Sequence, residues 1–319
     1  MTYVQYHAEP ELRNPVLVAA FGGWNDAADA ATAAVKILSD RWHTVKLADI
    51  EPEDFFVFTE TRPIVRYVDG IERSITWPVS QFSAHQSPFM NRDIILFQGS
   101  EPQLKWKTYT KQFLAICKHY KVTEVVLLGA LLADIPHSIT VPISGTASNG
   151  DLRERLQDMD VHHSRYEGPT GIVGVLQDAC RRAGIPAASI WAAAPHYLAA
   201  TPNIKVTAAL LTYLNVFLSL GLDLSEIQSE AIRFEEQISA LVARDPEASA
   251  YVQKLEEQVA GLEEDEDEDE TGELEFNPDK AAGTGPLPSA DTLIRGVEEL
   301  LRQQRENNQH KNDSDEDDR

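Results

Sequence analysis

The sequence predicts an α/β fold: a layered core on a mostly parallel sheet, with an antiparallel hairpin attached and a helical pair towards the C-terminal end. Three observations carry that prediction. Short continuous apolar runs alternate with helix-like stretches over the first two hundred or so residues, the pattern of parallel strands buried on both faces and joined by helices. An Asp-Gly dipeptide at 69–70 sits between two strand-like runs, and both positions of such a turn favour positive φ. Farther along, apolar residues recur at helical spacing.

Residues 15–21 (PVLVAAF) read as a buried strand and 25–40 as an Ala-rich helix. Runs 45–50 and 55–58 read as short strands, and 64–68 with 71–77 as the arms of the hairpin. Run 94–97 (IILF) is another buried strand, followed by a helix over 102–120 with Leu104, Phe113, Leu114 and Cys117 apolar. Runs 125–129 (VVLLG) and 189–194 (SIWAAA) complete the strands, with a helix over 171–184 between them. The helix over 204–220 is apolar enough to pack on the sheet. Ser225 and Gln228 have capping-box spacing, and Ile227, Ala231, Phe234, Ile238 and Leu241 behind them form one stripe. Asp245-Pro246 suits the N-cap and first position of a second helix, so the pair reads as an αα-hairpin that folds back on the body or meets another subunit. The expected division is an α/β core over 1–222, the helical hairpin over 223–262, an acidic disordered linker over 263–288, an amphipathic helix over 289–307 and an acidic disordered tail over 308–319.

Composition narrows the function classes. The net charge is −23, of which residues 245–319 supply −17. The body is therefore close to ordinary, and nothing forms the basic stripe that nucleic acid requires. Two cysteines, both in apolar runs, fit a reducing cytoplasm better than a disulfide framework. No apolar stretch approaches the roughly 20 residues of a membrane helix. The chain reads as a cytoplasmic protein with no nucleic-acid or membrane partner.

In open α/β sheets ligands gather where strands end and helices begin. Those positions hold Gly22, Gly23, Trp24, Asn25 and Asp26, then Gln98, Gly99, Ser100 and Glu101, then Asp134 and His137, and finally Pro195, His196 and Tyr197. Convergence on one rim would make His196, Asp26 and Glu101 the acid–base candidates and Gly22, Gly23, Trp24, Asn25 and Tyr197 ligand contacts. The turn FGGWNDAAD (21–29) is a poor phosphate cradle, because Asp26 and Asp29 compete for the positive end of the helix. Its plain reading is a tight exit capped by Asn25 or Asp26. The stretch YEGPTG (166–171) is the better anion candidate: Gly168, Thr170 and Gly171 precede a helix with no acid in its first turn. A simple turn with Thr170 as cap is the competing reading. His137 and His196 read as hydrogen-bonded structural histidines ahead of general bases, and His162-His163 as a surface strand. Asp134 with His137 is too small a set for a metal, no serine sits in a nucleophile elbow, and neither cysteine has an activating setting. No cofactor or metal is expected.

Together, VLVAAFGGWNDAADAATAAVKIL (16–38), GPTGIVGVLQDACRRAGIP (168–186) and APHYLAATPN (194–203) resemble the proteasome-assembly-chaperone family, in its bacterial, chiefly actinobacterial, branch. The resemblance covers about residues 16–220. It implies a nucleoside-phosphorylase-like three-layer core, self-association with a trimer among the arrangements, and a protein partner in place of catalysis. The alternative is a small-molecule-binding protein or enzyme with a pocket at the strand ends. The sequence departs from the family at one point. Relatives that dock on proteasome rings end in a hydrophobic residue, a tyrosine and one further residue, whereas this sequence ends DSDEDDR, which enters an apolar pocket only at high cost.

Overall fold

A computed structural model describes residues 3–68, 72–87, 89–199 and 202–266. In chain order the elements are β1 (Val4–Tyr6), β2 (Val16–Gly22), α1 (Ala30–Arg41), β3 (Val45–Ile50), β4 (Ile64–Val68), β5 (Glu72–Thr76), β6 (Ser80–His85), β7 (Ile94–Ser100) and α2 (Trp106–His119). They continue with β8 (Glu124–Ala133), β9 (Ile143–Ala147), α3 (Gly150–Gln157), β10 (His162–His163), α4 (Ile172–Arg182), β11 (Ala187–Pro195), α5 (Ile204–Leu218), α6 (Ser225–Val242) and α7 (Pro246–Glu266).

The four apolar runs lie side by side as the parallel centre of a sheet, β7-β2-β8-β11. Their continuous apolarity follows from burial on both faces. In β2, Val16, Val18 and Ala20 point into one core with α1, α3 and α5, while Leu17, Ala19 and Phe21 point into the other with α2 and α4. This gives the three layers. Antiparallel strands extend both margins: β6, β3 and β1 beyond β7, and β9 beyond β11, with β10 parallel to β9 at the far edge. The hairpin expected around Asp69-Gly70 is the two-stranded β4–β5 ribbon, whose turn residues lie outside the described ones.

Three local expectations are corrected. Residues 55–58 are not a strand: Phe55 and Phe56 are buried in a turn, their N–H groups donating to the Pro52 carbonyl at 2.9 and 3.2 Å. A short apolar run satisfies a core equally well as a strand or as a buried loop plug, so periodicity cannot separate the two. The capping box does not form either. Leu224 precedes α6, and the Ser225 N–H donates to Asp223 Oδ1 at 3.0 Å, so the aspartate two residues earlier supplies the acceptor. Helix α7 also continues to Glu266, into the acidic run, since extending a formed helix costs little beside nucleating one. Asp245 does cap α7, accepting from the N–H groups of Glu247 and Ala248 at 2.9 and 3.3 Å. The linker, the amphipathic helix and the tail expected after that lie outside the described residues.

The helical pair folds back on its own body. Tyr197 and Leu198, just past β11, pack with Phe234, Ile238, Val252 and Leu255. Polar ties from both histidines of the strand ends fasten it. The Tyr197 hydroxyl accepts from the His137 N–H at 2.7 Å and meets His137 Nδ1 at 2.8 Å, and Nε2 of that ring meets Ser239 of α6 at 3.0 Å. Lys205 donates to the carbonyls of His137 and Ile139 and pairs with Glu235 at 2.6 Å. No described helix is long and apolar enough to cross a membrane.

Candidate functional site

The turn after β2 runs alongside β8 instead of stopping level with it. The Ala130 N–H donates to the Asn25 carbonyl at 2.9 Å, and Asp26 bridges Ala130 in parallel. Strand β8 therefore overshoots β2, and Asp134 stands four residues farther on, roughly 13 Å of strand at 3.3 Å per residue. The strand-end residues fall into two groups for that reason.

In the first group, Glu101 reaches across from the end of β7. Its Oε1 accepts from Asn25 Nδ2 at 2.8 Å and from the N–H of Ile172, the first residue of α4, at 2.7 Å. Thr170 does not cap α4, and its hydroxyl makes only a 3.4 Å contact with the Gly171 carbonyl. The anion site expected there is thus taken by a carboxylate of the same chain. Asp26 does the same for α1, accepting from the Ala31 N–H at 2.6 Å, the Thr32 N–H at 3.2 Å and the Thr32 hydroxyl. Both helix starts at the rim are filled, which closes the phosphate reading of either glycine turn.

Burial pushes the Asp26 carboxyl above its ordinary value, although Thr32 and the two backbone N–H groups pull it down. A raised folded-state value means that the group favours folding below its unfolded value near 3.8 and loses that contribution as pH rises through the folded value. Asp26→Asn keeps an oxygen acceptor for Ala31 and removes the ionisation. Its stability relative to wild type should rise between pH 3.5 and pH 7, read from urea midpoints, and a fall over that range would refute the assignment.

In the second group, His196 lies between Asp134 and Tyr251 of α7, with Nδ1 3.1 Å from Asp134 Oδ1 and Nε2 3.0 Å from the Tyr251 hydroxyl. This is the order of a carboxylate, a base and a hydroxyl nucleophile. Burial and then the Asp134 charge push the Tyr251 phenol up. The contact ties the end of β11 to α7. His137 and Tyr197 belong to the same fastening, where burial and then Lys205 hold the His137 imidazole below its ordinary value. Burial likewise raises both thiols, that of Cys180 to about 12.

Gly23, Trp24, Thr170 and Gly171 instead line a cavity of about 600 Å³ between α4 and the face of β11 and β9. Gly22, Trp24 and Glu101 border a neighbouring, more open hollow of about 570 Å³. Gly168 packs against the Tyr166 hydroxyl, and Asn25 is fully buried in the wall behind Gly171. Asp26, His196 and Tyr197 do not reach the cavity. Sequence reasoning missed Ser144, Thr146, Ser189 and Trp191, which line it from β9 and β11. The available signal was Ser189 and Trp191 at alternate positions of an otherwise apolar strand. Among the described residues, no group of three His, Cys, Asp or Glu side chains could hold a metal.

The PAC2 family model matches residues 20–242. The chain belongs to the PAC2 family. The proteasome-assembly chaperone homologue of Mycobacterium tuberculosis is 41% identical, with a TM-score of 0.67 over 74% of this chain and 99% of that one. A PAC2 family protein from Streptomyces avermitilis is 42% identical, with a TM-score of 0.68 over 75% and 99%. Both relatives are actinobacterial, as the sequence resemblance has it. The fold also extends to an archaeal proteasome activator of Pyrococcus furiosus, at 16% identity and a TM-score of 0.61 over 75% and 97%. No curated protein matches. In this PAC2 chain, the match runs from within β2 through α6 and so includes Asn25, Glu101, Asp134, His196 and the cavity, but not Tyr251 of α7.

Proposed function

We propose that this protein is a self-associating, assembly-chaperone-like cytoplasmic protein, whose work is done by a protein-binding surface. The observation that carries the reading is the β4–β5 ribbon. Its register puts Val65 opposite Ile75 and Tyr67 opposite Arg73, so these four share one face. Val65, Tyr67 and Ile75 are 46, 66 and 57% exposed, and Trp77 at the ribbon's base is 48% exposed. A two-stranded ribbon is marginal alone and gains stability when its apolar face is covered. Family membership and the roles of the mycobacterial and archaeal relatives, assembly-chaperone homologue and proteasome activator, favour a protein as the cover. The commitment of Asp26, Glu101 and His196 to holding elements together favours binding over catalysis. Light scattering of the full-length protein at micromolar concentration should give a multiple of 35.5 kDa, and cross-links should map to the ribbon. A monomer at 100 µM would sink the reading.

A further inference from the structure

We propose that the cavity between α4 and the β11–β9 face binds an uncharged small molecule with a flat ring system, stacked on Trp191. At about 600 Å³ the cavity has the size of an ordinary ligand site. Its floor is set by register: Trp191 stands opposite Gly129 of β8 on one side and Ser144 of β9 on the other. Residues in register point to the same face, so these three form one row. A Cβ on Gly129 would lie 2.5 Å from the Trp191 ring. The indole therefore lies across the glycine, with one face against the backbone, and Trp191 lines the cavity as a ready stacking platform.

Charge decides the class of ligand. None of the residues lining the cavity is an Asp, Glu, Lys, Arg or His. The start of α4, which would otherwise attract an anion, is already capped by Glu101. The polar groups of the floor are neutral and largely bonded to one another: the Thr146 hydroxyl meets Ser189 at 3.0 Å, and Gln177 Nε2 donates to the Thr146 carbonyl at 3.1 Å. The Ser144 hydroxyl, in the Trp191 row, has no hydrogen-bond partner among the described residues and is left to orient one polar group of the ligand. Trp24, 60% exposed, adds a second aromatic ring at the mouth.

The test uses the full chain and one ring at three charges: indole, indole-3-acetate and tryptamine, followed by saturation-transfer NMR and calorimetry. Indole should bind at least tenfold more tightly than either ion. Ser144→Phe, which fills the floor, should abolish indole binding, and Trp24→Ala should weaken it several-fold with an unchanged melting temperature. Absence of indole binding up to its solubility limit would overturn the proposal. So would equal binding of the three compounds, or binding that survives Ser144→Phe. The ribbon variant Tyr67→Asp/Ile75→Asp should bind indole as wild type does. Loss of binding there would place indole on the ribbon, and binding in that variant alone would make the cavity a protein-contact surface; either refutes a small-molecule site without touching the self-association reading.

Discussion

Replacing Tyr67 and Ile75 together by aspartate should abolish the proposed self-association and give monomers with an intact fold. Both side chains project from the apolar face of the ribbon and are more than half exposed, so the protomer loses little packing of its own. In an interface each would bury apolar surface worth about 1.5–3 kcal/mol. A loss of about 4 kcal/mol from the pair would weaken association by roughly a thousandfold, before the cost of burying two carboxylates. Sedimentation velocity at micromolar concentration reads the change. Arg66 and Ser74 are in register on the opposite face, so Arg66→Asp/Ser74→Asp is the control and should keep the wild-type mass. The same loss in both pairs, or in neither, would remove the ribbon from the interface.

Phe97→Ala should be the most destabilising of the single substitutions considered, at about 3–5 kcal/mol. Phe97 is fully buried in β7, the strand where the sheet changes from parallel pairing with β2 to antiparallel pairing with β6. Its ring lies 4.6 Å from Phe21, 4.7 Å from Phe82 and 5.5 Å from Phe113, centroid to centroid. The three neighbours come from β2, β6 and α2, so one truncation opens a hole that three elements share. Gly99, two residues on, makes room for the ring: a Cβ there would lie 2.8 Å from its tip. Close fit of that kind leaves little for the surroundings to collapse into, which places the cost towards the upper end of the range. Urea unfolding measures it, and a loss below 1 kcal/mol would mean that the cluster relaxes around the gap.

Most of the central architecture was legible because burial on two faces leaves a plain mark. A strand with helices above and below is apolar at nearly every position, and VLVAAFG, IILF, VVLLG and SIWAAA are, with Ser189 the one polar exception. The marginal strands were harder. β6 (SQFSAH) and β9 (ISGTA) mix polar and apolar residues because they sit near the edges of the sheet and lean on neighbours distant in sequence. The Phe55-Phe56 plug looked like a strand for the complementary reason: burial was evident, but not the shape in which it is achieved.

The candidate site divided along the same line. That Gly23, Trp24, Asn25 and Glu101 are strand-end residues follows from the order of strands and helices along the chain. Which of them meet depends on how far each strand runs past its neighbour, and β8 runs three residues beyond the bridge at Ala130, with Asp134 directly after it. That offset separates His196 from Glu101, hands the histidine to α7 and leaves Glu101 to cap α4. Local chemistry, by contrast, needed no tertiary information: Asp245 caps the helix that Pro246 opens, as the two residues alone require. The amino-acid order alone determined the layers, the hairpin and the helical pair, because each is encoded by periodicity within a few turns or one strand. Only the folded chain decided which carboxylate fills which helix start, and that a tryptophan lies flat over a glycine, because those contacts join residues scores of positions apart through strand register that no local pattern records.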